Sequence, residues 1–382
     1  MGVPATISDP VNSAILAVSE DRLAGFQADP FGEIADRSGV PVDTVIERIV
    51  AMLRAGTIRR VRQTLLSTSL ARGALVAWVV PPEQLDAAFD FMFRADPFSG
   101  HVVIRTTDTV SAGSNYRLWT TLKVPQGFSL HKHAEWLRGQ VGALRFRLMP
   151  AKILFALGVG HVRRRGLPPG ARAPEPARPL MTTIVELSER QWRVLVALKR
   201  EFAPEELARD LWRPRAREAG VDLETFVAVA RSLEERGIIG RFSTFLEHVK
   251  ATAGNERATR YNALFHWAVP AGKEIEAGRE IGRHYVITHA YWREGGPEFH
   301  GVNVMAVAHG MEKPAVLAHK DAIDEHLREA GIAFTYTNVF WGGRSEIKPS
   351  EIAPAAYRDF CLAKGLNPDT MRAEDGVEGA SA

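Results

Sequence analysis

A chain of 382 residues exceeds what a single hydrophobic core usually supports, so two units of ordinary domain size are expected. With 46% hydrophobic and 24% charged residues it has a globular composition, and a formal charge of +3 is too small to indicate nucleic acid by itself. One cysteine, Cys361, excludes internal disulfides and cysteine metal clusters, and no apolar run reaches the ~18 residues of a membrane span. These features predict a cytoplasmic protein with no membrane partner.

Residues 1–65 read as helices ending in a wing. Pro30-Phe31-Gly32-Glu33-Ile34-Ala35 starts one helix, and Ser38-Gly39 turns the chain. Val45, Ile46, Ile49 and Leu53 then form an apolar stripe that stops at Gly56, a good C-cap residue, before a first wing strand at Ile58-Arg59-Arg60-Val61. Residues 66–162 read as strand 74–81, helix 82–94, strands 100–108 and 115–124, helix 129–142 and strand 144–150. Residues 163–182 are a Pro/Arg-rich linker, expected to be extended.

The pattern then repeats. Gly220-Val221-Asp222 through Gly237-Ile238-Ile239 aligns without a gap on Gly39-Val40-Pro41 through Gly56-Thr57-Ile58, within a second winged segment at 183–250. Residues 251–350 follow with strand 261–269, helix 272–283, strands 284–291 and 302–309, helix 314–330 and strand 332–341. Each strand run near the start of a module ends in Trp-x-Val-Pro, at Trp78 to Pro81 and Trp267 to Pro270. A C-terminal extension covers 351–382, and its end from Asp369 has the small, polar composition of a disordered tail.

The expected fold is therefore α+β, a tandem duplication. Each half is a winged helix-turn-helix followed by a ferredoxin-like β-α-β-β-α-β module. The two modules should pack sheet against sheet as an intramolecular pseudo-dimer, with the winged helices at either side. This layout resembles the Lrp/AsnC regulators, which makes DNA binding the first alternative. Base-reading helices usually present Arg, Lys, Asn or Gln to the groove. Here the corresponding segments offer Asp43, Glu47 and Arg48, then Asp222, Glu224 and Arg231. Nucleic acid is disfavoured as a partner.

A more specific resemblance lies in Ile287-Thr288-His289-Ala290-Tyr291-Trp292-Arg293 and Val302-Asn303-Val304-Met305-Ala306-Val307-Ala308-His309-Gly310. These stretches resemble the Ser-His-x-Tyr-x-Arg and Tyr-Asn-Leu-x-x-Met-x-His-Gly motifs of the siroheme decarboxylase family of the alternative haem and haem d1 pathways. Pro30 to Ala35, Gly56 to Arg60, Tyr116 to Leu122, Met149 to Val159 and Arg344 to Lys348 are similar to further family stretches in the same order. Three departures stand out. Thr106 occupies the first-half position of the motif histidine, Ala156 stands where the family often has lysine, and Val302 replaces the tyrosine before Asn303.

The resemblance implies removal of acetate carboxylates from siroheme in haem or haem d1 biosynthesis. Such a step needs an electron sink, a proton for the carbanion and cations for the remaining carboxylates. The pyrrole ring is the sink, so no cofactor is required beyond the iron tetrapyrrole substrate, and no protein metal site is implied. His289 is the expected proton donor or ligand to the substrate iron. Tyr291 and Arg293 share its strand face by period-two alternation and are the other expected catalytic residues. Arg105, Tyr116, Arg117, Asn303, His309, Arg344 and Lys348 are candidate substrate-binding residues. His300 lies in a Gly-rich loop, Glu294 to Gly301, a candidate lid. Homo-oligomers or association with other haem-pathway proteins fit this reading. A tetrapyrrole-binding protein without catalysis is a second alternative.

Overall fold

The computed structural model describes residues 2–66, 70–158, 160–162, 164, 166–181, 184–247 and 251–374. In chain order the elements are α1 (Pro10–Ser19), β1 (Leu23–Ala24), α2 (Pro30–Ser38), α3 (Val42–Arg54) and β2 (Ile58–Leu65). Next come β3 (Ala71–Val79), α4 (Leu85–Arg94), β4 (Ser99–Thr106), β5 (Leu118–Pro125), α5 (Leu130–Gln140), β6 (Arg145–Pro150), β7 (Ile153–Leu157) and β8 (Leu180–Met181). The second half runs α6 (Glu189–Lys199), α7 (Arg213–Glu218), α8 (Leu223–Glu235), β9 (Ile239–Leu246), β10 (Tyr261–Ala268) and α9 (Glu274–Gly282). It closes with β11 (Ile287–Trp292), β12 (Val304–Gly310), α10 (Lys313–Glu329), β13 (Tyr336–Ile347) and α11 (Pro354–Ala363).

These elements form two compact units. The first gathers Met1–Ser69, Gly158–Gly166 and Val185–Arg260. The repeated helices α3 and α8 are both 13 residues long. Gly39 and Gly220, at equivalent repeat positions, adopt φ of 73° and 69°, a left-handed turn that costs glycine little. Val45, Ile49 and Met52 on α3, and Phe226, Ala230 and Leu233 on α8, are buried, as their helical spacing predicts. The expectation of winged helices at either side is corrected here. β2 pairs with β9 in one three-stranded sheet of order β1-β9-β2, so the two wings share backbone hydrogen bonds.

Glu20, at the end of α1, is buried and accepts the Val162 N–H at 2.8 Å. Burial pushes its pKa up to about 8 against the backbone donors and Arg164, which oppose the shift. The fold thus holds a proton that the unfolded chain releases near pH 4.5. Stability from this group is full below that pH and is lost as pH rises through about 8. We expect urea unfolding of the first unit to weaken between pH 5 and 8, by up to ~1.4 kcal/mol per pH unit. Glu20→Gln should flatten that slope and stabilise the unit at pH 8.

The second unit gathers Leu70–Leu157, Leu167–Ile184 and Tyr261–Ala382. Each half of it runs β-α-β-β-α-β, and the sheet order is β6-β3-β5-β4-β13-β10-β12-β11-β7-β8. Numbered within each half, the strand order is 4-1-3-2 both times. The halves are joined in one ten-stranded sheet, and a buried layer brings Ala77, Val103, Trp119 and Met149 together with Leu264, Met305 and Phe340. Outer layers pack α4 and α5 on the first half, and α9 and α10 on the second.

Two edge pairings were not expected. The long strand β13 leaves β10 and continues onto β4, with a register shift at Gly342–Ser345. β7, absent from the sequence-based reading, pairs with β11 of the other half. The later linker residues are docked, not free: Ala173 and Ala177 donate to Arg283 and Arg279 carbonyls at 3.0 Å. The extension is ordered further than its composition predicts. Tyr357 and Cys361 on α11 are buried in the first-half core, and Met371 is only 7% exposed. The last expected tail residues, 375–382, lie outside the described residues. No helix among those described is long and apolar enough to cross a membrane.

Candidate functional site

β11 is the strand that carries the candidate chemistry. Ile287, Ala290 and Trp292 all pack toward the helices of the second half, which strict alternation forbids. A register shift at Thr288 supplies the extra residue and turns His289 to the opposite face. His289, Tyr291 and Arg293 then form one column. The His289 and Tyr291 rings are nearly parallel, 6.2 Å apart at 11°, and the Arg293 guanidinium lies 4.3 Å from the Tyr291 ring centroid. Arg293 donates to the Met149 carbonyl at 2.5 Å and is 8% exposed. Burial pushes the Arg293 pKa down and that of Tyr291 up, each partly offset by the other.

The bulge residue also links two histidines. The Thr288 hydroxyl donates to the Val307 carbonyl at 3.0 Å and sits 3.1 Å from His289 Nδ1 and 3.4 Å from His309 Nδ1. With its proton committed to Val307, that oxygen accepts from both imidazoles. His309 Nε2 in turn accepts from Asn262 Nδ2 at 3.0 Å. In this tautomer the His289 proton sits on Nδ1, toward Thr288.

A second group lies on the first half. Arg105 is 4% exposed and donates to the Phe340 carbonyl at 3.3 Å; burial pushes it down to about 9. Arg117 donates to the Arg105 carbonyl at 3.0 Å. Tyr116 is buried against Phe299, with centroids 5.0 Å apart, and the Arg145 guanidinium is 5.8 Å from its ring. The loop expected as a lid is anchored by Phe299, which is 2% exposed within that buried layer. His300 stacks on Tyr336 at 4.3 Å.

Three of the expected substrate-binding residues, Asn303, Arg344 and Lys348, make contacts within the second unit. Asn303 accepts the Val269 N–H and donates to the Val269 carbonyl, both at 2.9 Å, so its amide pins β10. Arg344 pairs with Asp86 at 2.7 Å and Asp90 at 3.0 Å while covering Phe89, all on α4. Lys348 donates to the carbonyls of Phe93 and Asp96. A long cation serves whichever acceptor the fold brings to it, and here the acceptors lie on α4 and just after it.

Sequence reasoning missed Thr288, Asn262, Arg145, Arg147 and His266. Arg145 and Arg147 alternate with Phe146 and Leu148, a period-two signal that was legible. A Cβ on Gly296 would meet the Arg147 guanidinium at 2.2 Å, and Gly296 has a φ of 78°, so this loop position requires glycine. His266 is fully buried, and neither ring nitrogen has a hydrogen-bond partner among the described residues. Burial first, then Arg105, pushes its pKa down to about 3, so it is neutral.

The AsnC-like ligand binding domain family matches residues 259–338 of this chain. More particularly, a siroheme decarboxylase of Hydrogenobacter thermophilus is 24% identical over 313 residues, spanning 80% of this chain and 86% of that protein. The siroheme decarboxylase beta subunit of Oleidesulfovibrio alaskensis is 35% identical over 78 residues, 20% of this chain and 46% of that subunit. The solved structure of siroheme decarboxylase NirDL superposes with a TM-score of 0.62 at 18% identity, covering 94% of this chain and 100% of its own. The same protein has been solved with an iron-uroporphyrin III analogue. The resemblance to the siroheme decarboxylases is thus borne out along most of the chain.

Proposed function

We propose that this chain is a siroheme decarboxylase of haem or haem d1 biosynthesis, each half a winged helix-turn-helix followed by a ferredoxin-like module. The observation that carries the reading is the His289–Tyr291–Arg293 column, joined to His309 through Thr288. The C–C bond to an acetate carboxylate breaks, carbon dioxide leaves, and the electron pair passes into the macrocycle. His289 then delivers a proton to the former methylene carbon, leaving a methyl group. Tyr291 holds the imidazole by its parallel ring, and Arg293 clamps a neighbouring carboxylate. Arg105, Arg117 and Tyr116 hold further carboxylates from the first half. The chemistry requires no cofactor beyond the iron tetrapyrrole itself.

Relatives named as subunits suggest that this single chain joins what others assemble from separate polypeptides. Anaerobic incubation with siroheme, followed by mass analysis, tests the reaction; the expected product has lost carbon dioxide. Salt-sensitive, sequence-selective duplex binding with no Soret change on adding siroheme would instead favour a regulator. Arg293→Ala should weaken siroheme binding by about 1.5–3 kcal/mol, the value of a charge-assisted contact. Soret titration of the variant measures that loss, and an unchanged Kd removes Arg293 from the site.

A further inference from the structure

The first unit carries a cationic face that decarboxylation does not use. In the β2–β9 pairing Arg60 lies opposite Phe245 and Arg62 opposite Ser243. Alternation therefore puts Arg60, Arg62, Arg241 and Phe245 on one face of the sheet, while Val61 and Phe242 fill the core on the other. The Arg62 and Arg241 guanidinium groups approach the same Phe245 ring, 5.3 Å and 5.9 Å from its centroid.

Arg60 has a carboxylate, Glu201, at 3.2 Å. Arg62 has none: its side chain makes no hydrogen bond or ion pair among the described residues, and its Nε is buried. Burial, then Arg60, Arg241 and Arg59, press its pKa down to about 10 against the opposing charge of Glu201. A guanidinium held by an aromatic ring, beside like charges and partly out of water, is unfavourable without an anion. The aromatic contact leaves its planar fork of N–H donors for an oxyanion.

We propose that the Arg62–Arg241–Phe245 face of the first unit is a binding site for a small oxyanion, a carboxylate or a phosphate. The site does not depend on the decarboxylase reading. Isothermal titration of the full chain at low ionic strength, with citrate and with inorganic phosphate, tests it. Saturable binding is expected, tighter for citrate if the natural ligand is a carboxylate and tighter for phosphate if it is a phosphate. Arg62→Gln should weaken binding at least tenfold, and Arg62→Lys, which keeps charge but loses the fork, by less. Arg193→Gln on α6 should leave it unchanged. Should Arg62→Gln fail to fold, Arg241→Gln takes its place with the same expectation. No saturable binding of either anion to the wild type, or equal affinity in the glutamine variant, overturns the proposal.

Discussion

His289→Ala is expected to lower siroheme turnover roughly 10²–10⁴-fold, the usual cost of losing a positioned proton donor. Strand pairing corrects the first-half counterpart from Thr106 to His101: His101 faces Thr121 after a register shift as His289 faces Val307, and its Nε2 lies 2.8 Å from Ser345 Oγ. Soret titration should show little change in substrate affinity if the histidine acts on the proton, and a marked change if it ligates the substrate iron. Single-turnover mass analysis under anaerobic conditions provides the rate. Decarboxylation at the wild-type rate would transfer the role to Arg105, Arg117 and Tyr116. Thr288→Val is a useful companion, since it removes the hydroxyl beside both imidazoles while leaving them in place.

Asp324→Ala should destabilise the second unit by about 3–5 kcal/mol, as removal of one partner from a buried ion pair does. Asp324 accepts from Lys320 at 2.6 Å and 2.7 Å through its two oxygens, and from Trp267 Nε1 at 2.6 Å. Lys320 is 4% exposed and also donates to Thr337 at 2.5 Å, with its ammonium 4.6 Å from the Trp267 ring. Deleting the carboxylate strands a buried ammonium and an indole N–H together. Burial already pushes the Lys320 pKa down and Asp324 opposes that shift, so in the variant the amine should tend to neutrality. The double variant Lys320→Met with Asp324→Leu should recover most of the loss in urea unfolding. Equal destabilisation in the single and double variants would show that packing, not charge, holds this layer.

Much of the site was legible because a strand advertises its faces. Tyr291 and Arg293 follow His289 at a period of two, and the structure places the three in one column. The bulge at Thr288 was not legible, since the extra residue shows only when β11 is laid against β12. Nor was His266, a single histidine on an apolar strand whose surroundings come from Trp119 and Phe340 far along the chain.

By itself the sequence determined the duplication, the order of helices and strands in each half, and which face of each is apolar. These are local properties, set by side-chain periodicity and by glycine at turns such as Gly39 and Gly220. Only the tertiary structure decided which strand edges join. β2 pairs with β9, β13 crosses to β4, and β11 takes β7, because backbone N–H and C=O groups look alike on every edge and carry no label in the sequence. The same holds for long cations. Arg344 and Lys348 bind α4 because their flexible stems reach the acceptors that packing brings near, and those acceptors lie some 250 residues away in the chain.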